Sequence, residues 1–76
     1  MRKFIDAGGK EWDVVVGRES WGALYALFVP AGPGRSEPIR QTMLRASGYD
    51  AAQFELEEMD DAALAALFEK STPKPD

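Results

Sequence analysis

A chain of 76 residues allows one small domain, which removes about 60% of its unfolded surface from water on folding. Its 45% apolar content is enough for a globule, so most of the chain is not expected to be disordered. Cysteine and histidine are both absent, which excludes disulfides, thiolate metal sites, cysteine nucleophiles and the commonest general base.

The net charge of −4 is unevenly spread. Residues 1–48 carry seven cations against five carboxylates, and residues 49–76 carry two against eight. Such a split suits either a basic binding surface with an acidic appendage or, more simply, a sheet followed by solvated helices. Residues 21–34 are uncharged but broken by Gly22, Pro30, Gly32 and Pro33, well short of the roughly 20 apolar residues that span a bilayer. Arg2, Lys3, Asp6 and Lys10 stand where a secretory peptide would need its apolar core. The expectation is a cytoplasmic protein with no membrane association.

In chain order, Arg2 to Asp6 reads as a strand that turns at Ala7-Gly8-Gly9-Lys10, where paired glycines can take the positive φ of a hairpin turn. Glu11 to Gly17 is the returning strand, with Trp12, Val14 and Val16 on one face and Glu11, Asp13 and Val15 on the other. After the polar break Gly17-Arg18-Glu19-Ser20, Trp21 to Pro30 reads as a longer strand. Leu24, Ala26 and Phe28 lie on one side of it, and Trp21, Ala23, Tyr25, Leu27 and Val29 on the other. Residues 31–38 are too rich in glycine and proline to be anything but a loop.

Residues 39–46 alternate as a strand would, but Ile39, Met43 and Leu44 would also share a helical face. The preceding loop favours a strand returning beside the third. Asp50 is positioned to cap a helix over residues 51–58 with Gln53 three residues on, although Phe54 and Leu56 also permit a short strand. Asp60 is a second cap, and Ala63, Leu64, Leu67 and Phe68 form an apolar stripe that predicts a helix over about residues 61–70. Residues 71–76 read as a flexible tail with polyproline character. The expected fold is α+β: over residues 1–70, a small antiparallel three- or four-stranded β-meander with one or two short C-terminal helices across one face.

No constellation requests chemistry. Glu55, Glu57, Glu58, Asp60 and Asp61 are crowded, but the run from Asp50 lacks the glycine and the alternating oxygens of a calcium loop. Ser20, Ser36, Ser47 and Ser71 have no histidine to activate them. The loop Ala31 to Ser36 lacks the spacing of a phosphate loop, and Pro33 deletes a backbone donor there. Neither catalysis nor a metal, a cofactor or a small-molecule substrate is therefore expected.

The remaining feature is a surplus of apolar residues. One sheet with one or two short helices cannot cover both of its faces, so Trp21, Tyr25, Leu27 and Val29, with Trp12, are expected to form a partner-binding surface. Folding of the 31–38 loop and the tail back over them would remove it. The expected function is a non-catalytic protein–protein interaction module or accessory subunit, binding a protein partner or a second copy of itself. The alternative is a single-stranded nucleic-acid binder in which Trp12, Trp21 and Tyr25 interleave with Arg18, Arg35, Arg40 and Arg45. A pI near 4.7 opposes that reading.

Overall fold

The first turn is organised by one carboxylate. In the computed structural model, which describes residues 2–18 and 22–74, Asp6 Oδ1 accepts from the amides of Gly8 and Lys10, both at 2.9 Å. Gly9 supplies the positive φ of 83° that closes the loop. This turn joins β1 (Arg2–Ile5) to β2 (Glu11–Arg18), and the sheet continues antiparallel through β3 (Leu24–Pro30) and β4 (Arg40–Leu44). The strands follow chain order across the sheet, as a meander requires.

Two helices follow, α1 (Tyr49–Glu58) and α2 (Asp61–Lys70). The ambiguous segments are thereby decided: residues 40–44 are a strand, and residues 51–58 are helical throughout. Asp60 caps α2 as expected, accepting from the Ala63 amide at 2.8 Å. Asp50 does not cap α1. The cap residue is Gly48, which makes no side-chain bond, and Asp50 sits in the first turn instead, where the helix dipole favours its charge.

The sheet has five strands rather than three or four, because the tail is partly used. Thr72–Pro73 form β5 against β4, Ser71 is buried, and the Lys74 amide donates to the Ile39 carbonyl at 2.6 Å. Arg40 holds this segment from below, donating to the Ser71 hydroxyl at 2.9 Å and to its carbonyl. Residues 71–74 are thus paired rather than a free tail, and residues 75–76 lie outside the described residues.

Cross-strand register decides which faces coincide. Val14 lies opposite Phe28, Val16 opposite Ala26 and Phe4 opposite Trp12, so all of these share one face with Leu24 and Leu44. Ala52 and Leu56 of α1 and Leu64 of α2 complete the same core. Phe68, from α2, meets Phe4 at 5.3 Å and both Trp12 and Phe28 at 5.1 Å between ring centroids. Ala63, placed in the apolar stripe by spacing, is exposed, and the buried edge of α2 runs through Leu64, Leu67 and Phe68.

Phe28 is fully enclosed between the sheet and this helix, so its removal leaves a cavity that so small a core has little means of refilling. Phe28→Ala is expected to cost about 3–5 kcal/mol in chemical denaturation. Asp60→Ala is expected to cost about 1 kcal/mol through the lost cap.

Candidate functional site

The face of the sheet turned away from the helices is built by the other half of each alternation. Lys3 and Ile5 from β1, Asp13 and Val15 from β2, Tyr25, Leu27 and Val29 from β3, and Gln41 and Met43 from β4 fall on it by register. Tyr25, Leu27 and Val29 form its central stripe, and each is half-buried by its neighbours. Gly17 shapes the centre: a Cβ there would lie 2.6 Å from Leu27 Cδ1, so Leu27 rests directly over the glycine backbone. Ile5 and Met43 stand at opposite sides of the stripe, 60% and 57% exposed. At the rim Lys3 donates to Asp13 Oδ1 at 3.0 Å, and that bond raises the lysine pKa.

Among the described residues nothing is layered over this face. Both helices pack on the opposite side through Ala52, Leu56 and Leu64. The 31–38 loop also turns to the helix side. Arg35 places its guanidinium 4.9 Å from the Trp12 ring centroid, and Glu37 and Pro38 line a recess with Trp12, Arg40 and Phe68. The tail runs to the outer edge of β4.

The expected site residues therefore divide. Tyr25, Leu27 and Val29 stand together on the uncovered face. Trp12 does not join them: it is 4% exposed, enclosed by Phe68 and capped by Arg35. Alternation correctly grouped Trp12 with Val14 and Val16, but only the pairing of β2 with β3 reveals that this group shares the Leu24–Phe28 face. Trp21 lies outside the described residues.

Among the described residues, three of the arginines of the nucleic-acid alternative are engaged within the chain. Arg18 lies over Tyr49 at 5.8 Å, Arg35 is committed to Glu37 and Trp12, and Arg40 is held by Ser71 and the Phe68 ring. The acidic residues do not converge: among the described residues no group of three carboxylates is placed to hold a metal ion. No helix among them is long and apolar enough to cross a membrane.

The polar residues that do converge serve the turn and loop. Arg35 donates from Nε to Glu37 at 2.8 Å and from Nη1 to the carbonyls of Glu11 at 2.6 Å and Ala31 at 2.9 Å. Lys10 Nζ reaches the other oxygen of Glu37 at 3.1 Å. Asp6 Oδ2 accepts the Trp12 indole N–H at 3.0 Å. Burial alone would raise the Asp6 pKa, but the bonds from Trp12, Lys10 and Gly8 outweigh it and the net shift is downward. This network went unread in the sequence; Asp6 immediately before a glycine-rich turn was its available signal.

Glu37, bonded first by Arg35 and then by Lys10, is lowered from 4.5 to about 2. A carboxylate depressed in the folded state adds stability that is complete above its unfolded pKa and is lost as pH falls through the folded one. As pH falls from 4.5 to about 2 the melting temperature is expected to drop, and Glu37→Gln should lower it near neutral pH and shrink that acid-dependent drop. Comparison with known proteins offers no analogue of this arrangement: no protein-family model, curated protein or solved structure matches the chain.

Proposed function

We propose that this chain is a non-catalytic interaction module that docks a protein partner through the open face of its sheet, with the cytoplasm as its setting. The observation that carries the reading is one-sided layering. Two helices and the long loop all serve the Trp12 face, so among the described residues the Tyr25, Leu27 and Val29 stripe has no cover of its own. The stripe is apolar at its centre and carries a neutralised Lys3–Asp13 pair at its rim, the distribution that stable protein contacts favour. A standard contact buries about 800 Å² on each side, a large share of a molecule with 5002 Å² of surface. Binding would then add to the stability of a thin core by mass action.

Leu27 is the residue to test, since it occupies the centre and its side chain is not part of the buried core. Leu27→Glu is expected to weaken a captured partner by at least about tenfold while the chain stays folded. Phe54→Glu, on the exposed side of α1, should leave capture unchanged. The wild-type contact should persist as salt rises, because apolar burial is little screened. Capture insensitive to Leu27→Glu, or retention of a labelled single-stranded oligonucleotide that collapses with salt, would reject the reading.

A further inference from the structure

The two edges of the sheet are finished differently. At one edge β5 supplies only Thr72 and Pro73. The bond from the Lys74 amide to Ile39 sets the ladder so that Pro73 turns its missing N–H outward. That edge is blunted over Arg40 and Gln41. The other edge is not.

Just past β1 the Asp6 amide donates to the Lys10 carbonyl at 2.9 Å, and hydrogen-bonded pairs recur at every second residue of an antiparallel ladder. Phe4 and Arg2 therefore turn their peptide groups toward β2, and Lys3 and Ile5 turn theirs outward. Beside those outward groups lies a recess of about 530 Å³, floored by residues 3–7 and walled by Asp61, Ala62 and Ala65. Its wall is made of short side chains at the N-terminal half of α2, so a strand can approach at the ordinary sheet spacing.

We propose that this edge is a two-fold interface, on which β1 pairs antiparallel with β1 of a second copy of the chain. Only outward-facing residues can exchange the hydrogen bonds, so the register sets Lys3 against Lys3, Ile5 against Ile5, or Lys3 against Ile5. The first opposes like charges. The second sets Lys3 against Ala7 and Arg2 against Gly8, running the pair into the turn. The third centres the two-fold on Phe4 and places Arg2 opposite Asp6 of the second copy, a pairing of opposite charges repeated by symmetry.

In that register every outward N–H and C=O of Lys3 and Ile5 finds a partner. Arg2 keeps its charge at this edge, its Nη2 lying toward the Asp61 wall at 3.4 Å. Lys3, a residue type that ordinarily blocks edges, is neutralised here by Asp13 and lays its stem beside Ile5 of the second copy. The sheet becomes continuous, with both open faces on the same side. This interface stands independently of what the open face binds.

Sedimentation of the full chain from micromolar to millimolar concentration is expected to read a rise from one chain mass to two. Ile5→Pro removes an outward N–H and an exposed side chain while sparing the bonds to β2, so it should hold the chain at one mass while circular dichroism still reports the folded sheet. Hydrogen exchange gives a measure that needs no substitution: the Lys3 and Ile5 amides should slow by about tenfold or more on concentration, and the Phe4 amide should not. A single-chain mass throughout, or unchanged exchange at Lys3 and Ile5 in a dimer, would overturn the proposal. So would a dimer kept by Ile5→Pro and lost in Leu27→Glu, which would assign the contact to the open face.

Discussion

The packing of Phe68 against the sheet is the contact on which the rest of the molecule depends. One helical side chain touches Phe4, Trp12 and Phe28, which come from three different strands, at centroid distances of 5.1–5.3 Å. Aromatic pairs of this kind add about 0.5–1.5 kcal/mol each beyond the area they bury. Because the three strand residues lie on one face, the helix that carries Phe68 is committed to that face, and α1 packs beside it on the same core. Both ten-residue helices are thereby spent on that face. Among the described residues no helix is left to cover the opposite one.

Arginine acts throughout as a clamp between elements. Arg2 joins β1 to the connection between the helices, donating to the Met59 carbonyl at 2.9 Å and reaching Asp61. Arg40 fastens the end of α2 and the start of β5 to β4. Arg35 binds the long loop to the first hairpin through the Glu11 carbonyl and the Trp12 ring, and braces the loop itself through Ala31 and Glu37. A planar guanidinium with several fixed donors suits this use, since it can satisfy a carbonyl, a carboxylate and an aromatic ring at once. The basic first half and acidic second half thus meet in part within one chain, at the surface pair of Arg2 and Asp61.

The open face and the β1 edge are two distinct kinds of unfinished surface. On the face, Tyr25, Leu27 and Val29 pack side by side, and the missing side chain at Gly17 lets Leu27 lie flat, which produces a smooth apolar stripe. On the edge the unmet groups are peptide N–H and C=O, whose pairing is directional and fixes register. A contact on the face is tuned by area and shape, while a contact on the edge is tuned by which residues stand opposite. Because strand alternation sends the face residues and the backbone donors in perpendicular directions, both surfaces can be occupied in the same molecule.

Local patterning alone determined much of this protein. Alternation in residues 11–17, a glycine pair in the first turn, and Asp60 ahead of a 3.6-residue stripe were enough to place the hairpin and α2 within a residue or two, while the central strand, read from Trp21, begins only at Leu24. These signals are legible because each depends on neighbours within a few positions. The same period of two in the central strand separated Tyr25, Leu27 and Val29 from Phe28. Tertiary structure decided everything that requires one segment to know where another lies. Register turned Trp12 inward, since period two says which residues share a face but not which faces of two strands coincide. Pairing with β4 ordered residues 71–74, whose proline-rich composition carries no signal for a strand that a distant edge supplies. The loop carried Arg35 back onto Trp12 because the aromatic ring and the Glu11 carbonyl stand side by side there, a destination that exists only once the sheet has formed.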